Sequence, residues 1–455
     1  MAYTEDLMEE QVRRGDTVAY FFSGRQYPLV SGPRLRRWEH GGVAMLEVVN
    51  SPLYDHGRQP DLEVAEPRIE RMLARLLREN RPDAVHVQEL AGLPSSVLDV
   101  IRLAGIPAIV TLQDYFPLCS TFKLLDADGR VCLRREIGED CVATSAADPR
   151  DPGLMIEGTM RFHLARMRFV QVLSRARREA LISRVAMTVA RREIDRRRRG
   201  APSRQATAAA FQRRRTVNVD RLNRADRLIA MSHRVEEIYS QLGVDPSRLR
   251  TVHLTLAHIE RLRPRRPRAG GPLTFATLAG LESVAKGGRL LLETMRLLSD
   301  HAAAGRFRLL VFGHVHGQFV EEAIRLPGLE LRSPYAPGEL DAILDEVDVG
   351  IMSSIWEEAY GYAGVEFLAK GIPVIANAIG GMPDYTRDDE TGWLNRSCSA
   401  AELARIMAGV IDRPEQVAEL NAKLLATRGS IVKPFARHAE EMDAIYREAI
   451  AARAG

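Results

Sequence analysis

Residues 357–376 have the sequence Glu357-Glu-Ala-Tyr-Gly-Tyr-Ala-Gly-Val-Glu-Phe-Leu-Ala-Lys-Gly-Ile-Pro-Val-Ile-Ala376. A loop ending at Gly361 leads into a mostly apolar helical segment, and a short apolar strand follows at 373–376. Gly361 precedes the helical segment, and Gly371 and Pro373 separate it from the strand. A helix that leads into a buried strand in this way is typical of βαβ units and of a mostly parallel sheet.

The same alternation extends in both directions along the chain. Further helical segments are predicted at 4–14 and 66–79, and apolar strands at 17–22, 44–49, 83–87, 107–111, 226–232, 273–278, 307–312 and 347–352. A chain of 455 residues is too long for one ordinary core. We therefore expect an α/β protein with two Rossmann-like domains facing a cleft.

The domain boundary is expected in the run 261–271, which is rich in Pro, Arg and Gly. This places an N-terminal domain at 1–260 and a second domain at 261–433. The amphipathic segment 434–455 is then left without a partner in its own domain. We predict that it forms a helix that packs back on the first domain.

Positive charge is concentrated in one element. Residues 161–215 contain 17 Arg and three acids, although the whole chain carries a formal charge of only +4, so general nucleic-acid binding is disfavoured. We interpret 153–215 as a helical insertion with a break near 200–203. Helical spacing predicts one apolar face opposite the arginines, formed by Phe169, Val172, Leu173, Ala176 and Ala180.

That pattern fits a helix lying on an anionic membrane surface. It fits equally a hairpin packed between domains or against a partner protein. The N-terminus lacks a signal-peptide pattern, and no apolar run is long enough to span a bilayer. We therefore expect a cytoplasmic protein, with the inner membrane surface as its site of any peripheral attachment.

Three of the four cysteines share one stretch: Cys119, Cys132 and Cys141. Three thiols are an incomplete zinc set unless a histidine joins them. We interpret them as reduced structural cysteines and expect no bound metal.

The start of the helix after Gly361 has the chemistry of an anion site. Unpaired backbone N–H groups and the positive end of the helix dipole favour a pyrophosphate near residues 361–363. Glu358 and Glu366 lie about two helical turns apart. Such a pair is usually solvated, but Glu366 is embedded in an apolar run, so a ligand or the backbone must satisfy it.

Followed by Gly380-Gly-Met-Pro-Asp384 and Thr391-Gly-Trp393, this stretch resembles the donor-binding signature of glycosyltransferase family 4, a GT-B family. The resemblance implies that Glu358 contacts the sugar as a catalytic residue and that Glu366 reaches the ribose. Gly280-Leu-Glu-Ser-Val-Ala-Lys-Gly287 resembles the family's phosphate loop, with Leu281 in place of an arginine. The implied donor-binding residues are Glu366, Lys286, Gly280, Gly287, Tyr360, Gly361, Tyr362, Ala363 and, from a separate loop, His314 or His316.

In the first domain, the strand ends near His86 and Asp114 resemble the family's cleft motifs. Relatives carry histidine where this chain has Gln113, which cannot change its charge near neutral pH. Asp114 is therefore the second predicted catalytic residue, with Gln113 and His86 on the acceptor side. The family's first strand and its glycine-rich loop are absent, so our hypothesis is that Met1 is an internal or misassigned start.

Family membership implies a metal-independent, retaining hexosyltransferase without a cofactor, of the kind found in bacterial glycan or secondary-metabolite biosynthesis. The donor would be a nucleotide-diphosphate sugar, and the acceptor is open. Gln113, Leu281 and the missing strand also fit a silent nucleotide-sugar-binding subunit. A nucleotide-sugar epimerase of the same fold is the third interpretation.

Overall fold

The computed structural model of the protein describes residues 2–30, 32–53, 57–147, 153–172, 174–200, 206–266, 270–299 and 305–454, so Met1 lies outside them. We call residues 2–262 the N-terminal half and residues 270–433 the C-terminal half. Within the described ranges, no helix is both long and apolar enough to cross a bilayer.

The N-terminal half alternates strands and helices. Its elements are α1 (Ala2–Arg14), β1 (Val18–Ser23), β2 (Arg34–His40), β3 (Val43–Val49), α2 (Pro60–Val64), α3 (Pro67–Asn80), β4 (Val85–Val87), α4 (Val97–Leu103), β5 (Ala108–Leu112), α5 (Glu139–Ala147), α6 (Leu154–Leu164), α7 (Arg168–Gln171), α8 (Arg175–Gly200), α9 (Ala208–Asn223), β6 (Arg227–Ala230), α10 (His233–Gln241) and β7 (Leu249–Thr251). The strands form two sheets, β1-β3-β2 and the parallel sheet β4-β5-β6-β7.

The C-terminal half is built on one sheet of six parallel strands in the order β10-β9-β8-β11-β12-β13. Its elements are β8 (Leu273–Thr277), α11 (Gly288–Ser299), β9 (Phe307–Val311), α12 (Gly317–Ala323), β10 (Leu329–Leu331), α13 (Leu340–Leu344), β11 (Val349–Met352), α14 (Tyr362–Lys370), β12 (Val374–Asn377), β13 (Gly392–Asn395), α15 (Ala400–Asp412), α16 (Glu415–Ala426) and α17 (Arg428–Ile431); α18 (Phe435–Ala454) ends the chain.

Both faces of this sheet are buried. Phe275 belongs to the core that includes α11 and α15, whereas its neighbour Ala276 belongs to the core that includes α14. Alternate residues of a strand point to opposite faces, so a strand buried on both sides must be apolar throughout. The predicted α/β class with two Rossmann-like units is confirmed.

Four strands were not predicted: β2, β7, β10 and β13. β2 has the sequence Arg-Leu-Arg-Arg-Trp-Glu-His and is largely exposed as the antiparallel edge of its sheet. Such a polar edge strand gives no apolar run to recognise.

The Arg-rich region is helical, but it does not have the predicted apolar face. α7 ends at Gln171 and α8 begins at Arg175, and α8 packs along α6. Val172 is 84% exposed and Ala180 is exposed. Leu173 lies outside the described residues, as do the side chains of Phe169 and Ala176. The buried stripe of α8 is instead Ile182, Ala186, Ala190 and Ile194.

The end of the predicted insertion is not a surface element. α9 contacts α2, α4 and α5, and its Arg214 and Arg215 are buried. Arg214 pairs with Glu63, and Arg215 donates to the carbonyl oxygens of Leu118 and Arg134. These two arginines hold the N-terminal core together, so they are not available to a membrane or a partner.

The final helix contacts the N-terminal half. The Tyr446 hydroxyl of α18 lies 2.8 Å from Nδ1 of His86, and Arg453 donates to the carboxylate of Asp226 at 2.9 Å. The chain therefore crosses between the halves twice, once near 263–272 and once before α18.

Candidate functional site

A cavity of about 240 Å³ lies at the carboxyl ends of β8 and β11, the two central strands of the C-terminal sheet. Gly280, Lys286 and Glu358 line it together with residues 361–363 at the start of α14. Ligands of open α/β sheets bind at this edge, where loops leave the strands. The structure thus brings both sequence motifs of the C-terminal half to one cavity.

The start of α14 faces this cavity. Gly361 precedes the helix with φ +81°, a left-handed conformation that side chains rarely adopt, and an added Cβ would lie 2.9 Å from the Tyr385 hydroxyl. In the part of the chain that the structure describes, no side chain caps the helix. The N–H groups of Tyr362 and Ala363, which line the cavity, therefore have no intrahelical acceptor, whereas that of Gly364 donates to the Gly361 carbonyl oxygen at 3.0 Å.

Lys286 and Glu358 form an ion pair in the cavity wall. The Lys286 Nζ atom lies 3.0 Å from each carboxylate oxygen of Glu358. The Ser354 hydroxyl and the Trp356 indole N–H each donate to Glu358 Oε2 at 2.9 Å. Glu358 therefore has a fixed orientation, which comes from three donors on two adjoining loops.

The loop that carries Lys286 is fixed by close packing. The Ser353 hydroxyl donates to the Lys286 carbonyl oxygen at 2.9 Å. Gly287 has φ +84°, and an added Cβ would lie 1.8 Å from the Ser353 carbonyl oxygen. Glycine is the residue that fits here, and its neighbour Lys286 is held at the cavity as a result.

Glu366 has a protein partner that the sequence prediction did not foresee. His258 Nε2 lies 2.7 Å from Glu366 Oε1, so a side chain of the N-terminal half satisfies the carboxylate, in place of the predicted ligand or backbone. Glu366 lies deeper along α14 and does not line the cavity.

The remaining predicted donor residues are dispersed. Tyr360 is buried and stacks on His253, with ring centroids 5.3 Å apart. His314 and His316 follow β9 and are exposed, and neither lines the cavity. The side chain of Leu281 is wholly buried in the core beside α11, so it does not face the cavity as its family counterpart was expected to do.

On the acceptor side, His86 is held by protein groups. Its Nε2 lies 2.7 Å from the Thr111 hydroxyl, and its Nδ1 contacts the Tyr446 hydroxyl. Burial lowers the pKa of His86 to about 3, so the ring is neutral. Gln113 donates to Gln88 at 2.7 Å and thereby joins the same network.

Asp114 has a strongly shifted ionisation. Burial, and then the negative charge of Glu89, raise the pKa of Asp114 to about 7, while the Phe116 N–H and Arg214 oppose the shift. The Phe116 N–H donates to its Oδ1 at 2.8 Å. A carboxyl group that titrates near neutral pH can act in proton transfer.

The three clustered cysteines are free thiols that line one small cavity with Phe211 and Arg215. The Arg134 guanidinium donates to Cys132 Sγ at 3.2 Å. Burial raises the pKa of Cys141. The surroundings of the thiols are thus protein side chains.

Several residues of the site were missed from sequence. Ser354 and Trp356 orient Glu358. The sequence feature that could have indicated them is the group of hydrogen-bonding side chains that follows the apolar strand β11. Glu357 accepts from Arg234 of the N-terminal half at 2.6 Å and from the Gly380 N–H at 3.0 Å. Nothing in the sequence distinguishes Glu357 from Glu358 as the interdomain partner.

Two family models match the chain. Residues 2–193 match the glycosyl transferase 4-like domain, and residues 272–413 match the glycosyl transferases group 1 domain. A D-inositol 3-phosphate glycosyltransferase of Streptomyces scabiei is 28% identical over 223 residues, 44% of this chain and 50% of the relative. A 2-deoxystreptamine glucosyltransferase of Streptomyces kanamyceticus is 34% identical over 189 residues, 40% and 46% of the two chains.

Each match thus spans about half the length of these relatives or less. Among solved structures, sucrose-phosphate synthase from Thermosynechococcus elongatus superposes with a TM-score of 0.62 at 15% identity, over 99% of this chain and 93% of that one. This likeness, together with the cavity at the sheet edge, defines a protein of GT-B fold. The chain belongs to the family 4-like, group 1 glycosyltransferases.

Proposed function

We propose that the protein transfers a hexosyl group from a nucleotide-diphosphate sugar to an acceptor hydroxyl, with retention of configuration and without a metal ion or cofactor. One observation carries the proposal: Lys286 and Glu358 meet at the start of α14, in the wall of one cavity. This puts one fixed cation and a row of backbone N–H groups where a diphosphate would lie.

The ion pair describes the protein before donor binds. A diphosphate carries more negative charge than one carboxylate, so it competes for the Lys286 ammonium group. Glu358 would then keep its bonds from Ser354 and Trp356 and turn a free oxygen toward a sugar hydroxyl. The developing charge of the leaving group would be stabilised by Lys286 and by the start of α14.

The acceptor enters from the N-terminal half in this proposal. Asp114 and Gln113 follow β5 at the carboxyl edge of its sheet. The pKa of Asp114 near 7 suits a group that exchanges a proton with an acceptor hydroxyl. The names of the two relatives point to cyclic polyols as the first acceptors to assay.

The arm formed by α6 and α8 is proposed to rest on an anionic bilayer. Arg177, Arg184, Arg191 and Arg192 are exposed along α8. Exposed apolar side chains accompany them, namely Met167, Val172, Leu181 and Met187. Binding to phosphatidylglycerol vesicles but not to phosphatidylcholine vesicles is expected, and equal binding to both would refute the electrostatic attachment.

The function is tested by incubating the full chain with UDP-glucose, GDP-mannose or ADP-glucose and either D-inositol 3-phosphate or 2-deoxystreptamine. Mass spectrometry should detect a hexosylated acceptor, also in EDTA, and Glu358→Ala should abolish it. Lys423→Ala is the control, because the Lys423 side chain is exposed and its ammonium group donates only to the Asp389 carbonyl oxygen among the described hydrogen bonds. Donor binding without any product would indicate the silent subunit, and conversion of the donor without acceptor would indicate an epimerase.

A further inference from the structure

A second polar cluster lies where the two halves meet. Asp384 Oδ2 is 2.9 Å from Nε2 of His253 and 3.1 Å from Nδ1 of His233. The backbone N–H of His233 also donates to this oxygen, at 2.9 Å. The three side-chain ligand atoms all lie within 4.8 Å of one another. Two imidazole nitrogens and one carboxylate oxygen thus converge on one point.

Each of the three residues is held by its own local structure. His233 is the first residue of α10, where the Ser232 hydroxyl caps the helix. Asp384 ends the short turn Met382–Asp384, and Gly381 before it leaves no room for a Cβ, which would lie 2.6 Å from the Ala359 carbonyl oxygen. The ring of His253 stacks on Tyr360 with an interplanar angle of 15°.

Two positively charged side chains beside the cluster are paired with acidic residues, so they do not prevent the cluster from binding a cation. Arg234, next to His233, is paired with Glu357. Lys433, which donates to the His253 carbonyl oxygen, is paired with Glu441. The Asp384 side chain is 11% exposed, whereas that of His233 is 67% exposed. Solvent can therefore reach the histidine side of the cluster and supply further ligands.

We propose that His233, His253 and Asp384 bind Zn²⁺ or a similar transition-metal ion. Three protein ligands with water in the fourth position form a known tetrahedral zinc arrangement, in which bond lengths of about 2.0–2.2 Å hold the ligands apart by roughly 3.3 Å. The present separations of 2.9 and 3.1 Å from Asp384 need a small outward shift to reach this, and the two imidazole nitrogens lie within 4.8 Å of each other.

Imidazole nitrogen favours zinc and other transition metals over Mg²⁺, which prefers oxygen ligands. The proposed ion is therefore distinct from any ion that would accompany a diphosphate. Because His233 and His253 belong to the N-terminal half and Asp384 to the C-terminal half, the metal would tie the halves together beside Tyr360. It would act as a clamp on the relative position of the halves.

The test uses the full-length protein after dialysis against EDTA, without nucleotide sugar, so that its outcome does not depend on the proposed transfer activity. Titration with Co²⁺ should produce visible d–d absorption bands, and Zn²⁺ should abolish them by displacement. His233→Ala and Asp384→Asn should each weaken Co²⁺ binding by about tenfold or more. His40→Ala, at an exposed position of β2, is the matched control and should bind as the wild type does.

His233→Ala removes a largely exposed side chain, so it should keep the wild-type circular dichroism spectrum and provide a result even if Asp384→Asn unfolds. In a thermal scan, Zn²⁺ should raise the Tm of the wild type and of His40→Ala but not that of His233→Ala. Equal Co²⁺ affinity in the wild type and His233→Ala, or no Co²⁺ bands in the wild type, would overturn the proposed site.

Discussion

The ammonium group of Lys286 lies 3.0 Å from both carboxylate oxygens of Glu358, and the two residues belong to loops that follow adjacent central strands. Each residue is thereby held at the cavity before any ligand arrives. The two charges of the pair would bind different groups of the donor. The ammonium group would bind the diphosphate, and the carboxylate would accept a hydrogen bond from a sugar hydroxyl.

Replacing Glu358 should affect turnover more than donor binding. Glu358→Gln keeps the size and shape of the side chain but removes the negative charge that pairs with Lys286. We therefore expect kcat to fall about 100-fold and the donor KM to change little. Steady-state kinetics with a fixed acceptor checks this. An unchanged kcat would remove Glu358 from the reaction.

Adding a methyl group at Gly287 should disturb the donor site specifically. Gly287→Ala places a Cβ 1.8 Å from the Ser353 carbonyl oxygen and strains a left-handed backbone, so both Tm and nucleoside diphosphate affinity should fall. Gly105→Ala is the matched control, because Gly105 also has a positive φ, +75°, but no atom of the described residues lies within 4 Å of where its Cβ would be. Equal effects of the two variants on affinity would contradict the account.

The ionisation of Asp114 should make stability depend on pH. Its folded pKa of about 7 exceeds the unfolded value of 3.8, so the folded state binds the proton more tightly and loses stability as pH rises between these values. Asp114→Asn should therefore stabilise the protein at pH 8, by up to about 4 kcal/mol, and leave it unchanged near pH 4. Urea unfolding at both pH values measures this difference.

The contact between the halves through Arg234 and Glu357 should contribute to stability. Glu357 is almost fully buried, so Arg234→Ala leaves a buried carboxylate without its main partner. Because Arg234 is about one third exposed, we expect a loss of about 1–3 kcal/mol, below the full cost of breaking a buried pair. Arg387→Ala, from an exposed pair with Glu390, should cost little in the same denaturant titration.

The sequence was sufficient where local pattern and tertiary structure agree. The four central strands of the C-terminal sheet, β9, β8, β11 and β12, are apolar and largely buried, so they were predicted, whereas the edge strands β10 and β13 were not. Gly361, just before α14, indicated where that helix begins. Lys286 and Glu358 were predicted from the resemblance of their loops to the family's donor-binding motifs, and the structure brings them together.

Other features depend on contacts between distant segments, which composition does not reveal. His258 contacts Glu366, which lies 108 residues further along the chain, and the cluster at Asp384 joins three separate segments. The predicted apolar face of the Arg-rich region was wrong for the same reason. Its spacing fits several apolar stripes, and only packing against α6 selects the one through Ile182 and Ala186.

Lys286 and the start of α14 are proposed to bind the diphosphate of the donor. Isothermal titration of the wild type, Lys286→Met and Lys423→Met with UDP, GDP and ADP tests it directly. At least one nucleotide should bind the wild type and Lys423→Met equally, and bind Lys286→Met about tenfold more weakly or worse. Equal affinity in wild type and Lys286→Met, or no binding of any nucleoside diphosphate to the wild type, would contradict the account.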